Sequence, residues 1–387
     1  MTYNFDEQID RRGTNSLKWD YAERFTGRTG LLPLWVADMD FRAPDFITEA
    51  MIGRITGGVF GYSQFPPSYY EAVKGWLSRR HGWEISTDWI VPIPGVVPAI
   101  RLAVDAYTRP GEKIVIQPPV YHPCRAVIAR NGRQVVENPL RREDSSYRMD
   151  PQQLEEVIDD DTRAILLCSP HNPVGRVWSE EELRSLVEVC RKRNLLLISD
   201  EIHCDLIMNG NKHIPTSTLF REGEDRSVTF TSATKSFNLS GVSCANAIIP
   251  DPTIRREFSR QVAKDGLQLP NLMSIVAAEA AYRHGDEWLD QALSYMEANY
   301  RYLVETLAKR APNLTVFPLE GTYLVWVDLA NTGIADHELK EGLLDAGLWL
   351  DDGPMFGTGG SGFQRINIAC PRATLQDAVE RFISAVT

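Results

Sequence analysis

A chain of 387 residues, 43% hydrophobic and 24% charged, suggests one large domain with a smaller one or two of moderate size, which excludes a staple-dependent miniprotein and makes neither disorder nor a fibre the default reading. Fifty-two acidic against 41 basic side chains give a formal charge of −11, which disfavours a nonspecific binder of nucleic acid. The stretch MTYNFDEQIDRRG has no apolar signal core, no later apolar run nears the roughly 20 residues of a membrane helix, and the six cysteines form no CxxC pair, so a cytoplasmic, reducing setting away from membranes is expected.

Residues 1–44 mix charges, aromatics and the turn-rich run GRTGLLPLWVADMDFRAP, and read as an arm packed onto something larger. Pro44 and Asp45 start a short helix through Ile55, and a second helix is predicted from about Ser68 to Arg80 after the glycine and aromatic stretch GGVFGYSQFPPSYY. From Trp89 the rhythm becomes strand, helix, strand: IVPIPG, VVPAIRLAVDAY, then KIVIQPP. It continues with a strand at Gln134–Glu137, a helix at Pro151–Asp159, the strand RAILLCS, a helix from Ser179 to Arg193 and the strand Leu195–Ser199. Ser179 and Glu182 have the spacing of a capping box. Two further strands, SVTFT and CANAII, bracket SATKSFNLSG.

Such continuous apolar strands belong in a mostly parallel sheet covered by helices. Between Asp286 and Arg310 the residues Trp288, Leu289, Ala292, Leu293, Met296, Tyr300, Leu303 and Leu307 recur at helical spacing and predict one long amphipathic helix. The segments LTVF, TYLVWVDL, ADHELKEGLLDAG and FQRINIA then fit a smaller α/β unit. The expected division is an arm (1–44) contributing to the small domain, a large domain (45–285), and an interdomain helix with the carboxyl-terminal small domain (286–387).

Candidate reactive residues cluster after strands, where open α/β sheets bind ligands. Asp200 follows an apolar strand, and its carboxylate suits a metal, a base or the protonated ring nitrogen of a cofactor, as well as a plain capping or surface role. Lys235, in the loop between two strands, is an amine able to form a Schiff base, although a lone lysine is far more often a solvated surface group. Ser232 and Thr234 can bond an anion or simply form the loop, and Tyr121 can stack on a planar cofactor or pack against protein. Val96 and Val97 open a helix after Gly95, so their amides can hold phosphate or merely start the helix. Asn172 in SPHNPVG can contact a ligand or fix its turn; Arg365, beyond GTGGSGF, can grip a carboxylate with two hydrogen bonds or join an intramolecular pair. No dinucleotide fingerprint, P-loop, G-x-S-x-G or H-E-x-x-H motif is present, and no metal is expected; for His203 a structural or cofactor-tuning role ranks ahead of ligation.

Taken in order, WVADMDF, GYSQFPPSYYEAV, PIPGVVPAI, PPVYHP, SPHNPVGRVW, SDEIHCDL, SATKSFNLSG and GFQRINIACPR resemble the cystathionine β-lyase/cysteine desulfhydrase branch, the C-S lyases, of the fold-type I enzymes that use pyridoxal 5'-phosphate (PLP) within the class I/II aminotransferase-like family. The resemblance runs from about Trp35 through Arg372 and implies an α/β fold whose large domain binds PLP, in a homodimer with shared active sites. It makes Lys235 the residue bonded to the cofactor and, with Tyr121, catalytic. Asp200 would partner the pyridine nitrogen, Asn172 the ring oxygen, and Tyr121 the ring face. Val96, Val97, Ser232 and Tyr62 of the partner subunit would hold the phosphate, and Arg365 the substrate's α-carboxylate.

Two positions depart from the wider aminotransferase pattern. His203 stands where many relatives carry the tyrosine of D-x-x-Y, a change shared with the C-S lyases, and Ser243 stands where many carry a phosphate-binding arginine. The implied reaction is α,β-elimination of L-cystathionine, L-cysteine or a related sulfur amino acid to a thiol or sulfide, pyruvate and ammonia. Transamination is its enzymatic rival, and a noncatalytic regulatory dimer is a third reading.

Overall fold

A strand points successive side chains to opposite faces, so an uninterrupted apolar run is stable only where both faces are covered. The computed structural model, which describes residues 2–221 and 223–387, shows this arrangement. Seven strands form its large sheet: β1 (Ile90–Ile93), β2 (Lys113–Ile116), β3 (Gln134–Glu137), β4 (Thr162–Cys168), β5 (Leu196–Asp200), β6 (Ser227–Thr231) and β7 (Ala245–Ile248). Their spatial order is β1-β7-β6-β5-β4-β2-β3, and β7 alone runs against its neighbours.

Alternate residues serve two cores. Ile114, Ile116, Leu166, Leu196 and Ile198 pack on one side with helices Val96–Tyr107 and Pro252–Lys264. Val115, Ile165, Leu167 and Leu197 pack on the other with helix Glu180–Arg193. Burying each such side chain contributes roughly 1.5–3 kcal/mol, so the two-sided burial is what holds the sheet's centre. The boundary expected at Ser179 is present: its Oγ accepts from the Glu182 N–H at 3.2 Å, and Glu182 Oε2 accepts from the Ser179 N–H at 3.1 Å.

A smaller antiparallel sheet combines β8 (Thr315–Val316), β9 (Leu324–Asp328), β10 (Asp351–Asp352) and β11 (Phe363–Asn367) in the order β8-β9-β11-β10. The arm joins this end of the molecule, since Leu32–Pro33 pairs in parallel with Leu348–Trp349 and Trp35 stacks on Trp349 at 4.3 Å. Buried Lys18 bonds Asp40 at 2.7 Å, and Arg11 bonds Asp38 and Asp40, which fastens the arm just before it reaches the site. One apolar core takes Phe5 and Leu34 from the arm, Trp76 and Phe237 from the middle of the chain, and Trp288 and Leu375 from its last third.

The long helix spans Asp286–Arg310, as its spacing predicts. The helix expected at Pro151–Asp159 stops at Val157, because Ile158 is extended and the Asp159 N–H bonds Thr162 Oγ1 at 3.1 Å. Helices His122–Arg130, Leu272–His284 and Arg372–Val386 and the hairpin Arg141–Arg148 have weaker sequence signals and appear only in the structure. Among the described residues no helix is long and apolar enough to cross a membrane.

Candidate active site

The carboxyl ends of β1, β2, β4, β5 and β6 converge on a cavity of about 270 Å³. Its wall contains Val96, Val97, Tyr121 and Asn172, together with Asp200, His203 and Lys235. A larger cleft of about 720 Å³ opens at the amino-terminal ends of β4 and β5 and contains none of these residues. Chemistry therefore decides between the two clefts, and the smaller is the one that brings Lys235 and Asp200 together.

Lys235 is placed by a single helical turn, Ala233–Ser236, that directly follows β6. Its neighbour Ser236 donates to Asp205 Oδ2 at 2.6 Å, and Asp205 Oδ1 accepts from Trp76 Nε1 at 3.0 Å and lies 2.7 Å from His81 Nε2. His81, Cys204 and Asp205 thus sit close together, but their polar atoms are engaged in holding the turn beneath the lysine. Burial lowers the Lys235 amine to about 8; Asp38 opposes the shift, Arg365 adds to it and Asp200 opposes it. An amine in that range carries a useful neutral, nucleophilic fraction near neutral pH.

Asp200 ends β5, and among the described residues its carboxylate accepts a hydrogen bond from the Ile202 N–H alone, at 3.1 Å. Burial raises it to about 6, with the Ile202 amide and Lys235 acting against the rise. A carboxylate so poorly satisfied favours a positive partner inside the cavity. His203 is buried too, its Nδ1 has no hydrogen-bond partner among the described residues, and burial holds it well below the ordinary histidine range. Tyr121 and Asn172 come from different strand ends and are tied by the Tyr121 N–H bonding the Asn172 carbonyl at 3.0 Å. Burial pushes the Tyr121 hydroxyl up to about 12.

At the start of helix Val96–Tyr107, Pro98 has no N–H, so Val96 and Val97 supply the first free amides. Hydroxyl-bearing Thr234, Ser240 and Ser243 share the wall. Ser232 does not: its hydroxyl donates to the Cys244 carbonyl at 2.6 Å and accepts from the Thr234 N–H at 3.0 Å, so it caps the lysine turn instead of facing the cavity. Tyr62 also lies outside the cavity wall of its own chain and is 96% exposed.

Arg365 stands behind Asn172, 3% exposed and outside the cavity wall. Its Nη1 donates to Asn172 Oδ1 at 2.8 Å, which leaves the Asn172 amide hydrogens for the cavity, and its Nη2 donates to the Trp35 carbonyl at 2.7 Å and to Asp351. Two groups at the site escape sequence reasoning. Asp351 reaches Arg365 through strand pairing, and the Ala37 carbonyl accepts from both Lys235 Nζ and the Tyr323 hydroxyl. A backbone carbonyl has no sequence signature; the only local hint of Asp351 is a carboxylate pair following the apolar run LWL.

PLP fits these donors and acceptors. The amine suits its aldehyde carbon, buried Asp200 a cationic ring nitrogen, the Asn172 amide a ring oxygen, and the Val96 and Val97 amides with neutral hydroxyls a phosphate. The aminotransferase class I and II family model matches residues 30–382. The chain belongs to that family. Among curated relatives, cystathionine beta-lyase PatB of Bacillus subtilis is 41% identical over 386 residues, 99% of this chain and 100% of the relative. Cystalysin from Treponema denticola, whose crystal structure contains a pyridoxal 5'-phosphate cofactor, superposes with a TM-score of 0.96 at 36% identity, covering 100% of this chain and 99% of that one. The PLP-bound C-S lyase from Staphylococcus hominis superposes with a TM-score of 0.94 at 32% identity, with the same coverage. The fold-type I architecture expected from the motifs is thereby shown.

Proposed function

We propose that the cavity performs α,β-elimination on a sulfur-containing amino acid, with Lys235 and Asp200 as its working pair. The chain is a PLP-dependent carbon-sulfur β-lyase, an assignment supported by the 41% identical cystathionine beta-lyase and the PLP-bound C-S lyase structure. The observation that carries the residue roles is the burial of a weakly basic amine and an under-satisfied carboxylate in one cavity of about 270 Å³.

When bound, PLP supplies an electron sink for the bond broken at the substrate's α-carbon. Lys235 would hold the cofactor through Nζ, and the same nitrogen, when free, would take the substrate's α-proton. Asp200 keeps the ring nitrogen positively charged, Asn172 orients the ring oxygen, and Tyr121 covers the ring face. His203 lines the same cavity as a neutral imidazole. The Val96 and Val97 amides, with Thr234 and Ser243, anchor the phosphate. Arg365 orients the substrate through its α-carboxylate, which aligns the breaking bond. The leaving group is homocysteine thiolate from L-cystathionine or sulfide from L-cysteine, and one water hydrolyses the released aminoacrylate to pyruvate and ammonia.

Ile52, Ile55, Val59, Phe60 and Tyr62 form an exposed apolar run unusual for a monomer, which supports a homodimer in which Tyr62 of the partner subunit reaches the phosphate. The six free, buried cysteines agree with a cytoplasmic setting. PLP-loaded protein given L-cystathionine, L-cysteine or L-alanine should release pyruvate with thiol or sulfide from the first two without any keto acid acceptor. Stoichiometric keto acid with conversion of the cofactor to its amine form would instead make the protein an aminotransferase, and PLP binding without turnover would make it a regulatory dimer.

A further inference from the structure

Asp351 and Arg365 face each other in register on β10 and β11, 6% and 3% exposed. A guanidinium has five N–H donors, and it takes a carboxylate side by side along either of two edges, Nε/Nη2 or Nη1/Nη2. Both edges need Nη2. Here Nη2 donates to Asp351 Oδ2 and to the Trp35 carbonyl at 2.7 Å, while Nη1 gives one hydrogen to Asn172 Oδ1 at 2.8 Å. Nε is buried and has no partner among the described residues, and the Phe356 ring closes one face of the group with its centroid 5.0 Å from Arg365 Cζ. The arginine therefore retains one donor on Nε and one on Nη1, which share no edge. An arriving carboxylate finds no complete fork.

We propose that Asp351 is a resident carboxylate that competes with the substrate's α-carboxylate for Arg365, so that docking transfers Nη2 from Asp351 to the substrate. This rests on the reading of Arg365 as the group that receives the substrate's α-carboxylate. Before substrate arrives, Asp351 neutralises a buried cation that would otherwise cost free energy and holds its plane against Phe356. Asp351 is a positioning residue that tunes affinity for the carboxylate end of a ligand and leaves the amine end untouched. A ligand lacking the carboxylate gains nothing from its removal.

The test compares PLP-loaded wild type with Asp351→Asn, following the cofactor absorbance as L-alanine or ethylamine is added. L-Alanine has the amine and the carboxylate but no leaving group; ethylamine lacks the carboxylate. Asp351→Asn should bind L-alanine tighter by about tenfold, the worth of one charge-assisted hydrogen bond, with ethylamine unchanged. Unchanged or weaker L-alanine binding in the variant overturns the proposal and makes Asp351 a support for the arginine. No L-alanine response in the wild type overturns the functional reading as well. Should the variant fail to fold, a crystal structure of the wild-type holoenzyme with L-alanine decides: Asp351 beyond hydrogen-bonding distance of Nη2 is expected, and an intact pair beside bound L-alanine refutes the competition.

Discussion

Lys235 Nζ donates a hydrogen bond to the Ala37 carbonyl at 2.5 Å, joining residues 198 positions apart. The Tyr323 hydroxyl donates to the same oxygen at 2.9 Å. The arm's last stretch thus meets the reactive amine directly, and the carbonyl can receive a hydrogen from that amine whenever it is not bonded to the cofactor.

Lys235→Ala should lose the characteristic absorbance of bound PLP and lower elimination by at least about 100-fold, the worth of a positioned general base. Visible spectra and pyruvate release check this together. A variant that retained both would remove Lys235 from its role.

The pH response of the cofactor-free protein follows from the lowered amine. The rate of PLP capture should climb with the neutral fraction of Lys235 and reach half its maximum near pH 8, well below the 10.5 of a free lysine. Because the folded state releases this proton earlier than the unfolded chain, the unfolded state binds more protons between those values. This group's contribution to stability therefore rises with pH across that window. Stopped-flow capture across pH 7–10 tests the first point, with a midpoint close to 10.5 counting against the buried-amine account.

Gly353 and Gly360 are packed too tightly for side chains. A Cβ on Gly353 would lie 1.9 Å from the Gly360 carbonyl oxygen, and one on Gly360 would lie 2.0 Å from the Gly353 carbonyl oxygen. Gly353→Ala should destabilise the protein by about 1–3 kcal/mol through overpacking and shift Phe356, on which Arg365 rests. Thermal unfolding gives the loss in stability, and a raised KM for the sulfur amino acid shows the displaced arginine. An unchanged Tm would contradict the close approach.

Tyr62→Phe removes a hydroxyl from a residue that is 96% exposed in the isolated chain. If Tyr62 of the partner subunit bonds the phosphate, the variant should hold PLP roughly three- to tenfold more weakly at unchanged secondary structure, the loss of one hydrogen bond to a charged group. Equal retention by equilibrium dialysis would place this hydroxyl away from the cofactor.

Central strands were legible because their apolar runs have to be buried on both faces: SVTFT is β6 residue for residue and wholly buried, whereas the edge strand β3, Gln134–Glu137, shows only in its pair of β-branched valines. The Ser179 cap and the long helix were legible for equally local reasons, one a spacing of three residues and the other a helical repeat. Asp200 and Lys235 stood out as polar residues at or just beyond strand ends, where a parallel sheet leaves room for a ligand. The direction of the Ser232 hydroxyl was not legible, since a serine before a helical turn can face a ligand or cap that turn equally well.

The order of apolar and polar residues along this chain determined its strands, most of its long helices and the loops that carry its reactive groups, because those follow from local burial and backbone periodicity. Only the tertiary structure decided that Trp35, Asn172 and Asp351 would claim the hydrogens of Arg365, at separations of 330, 193 and 14 residues. Hydrogen-bond donors are shared out by proximity in space, and that proximity exists only once the arm, the large sheet and the small sheet have packed together.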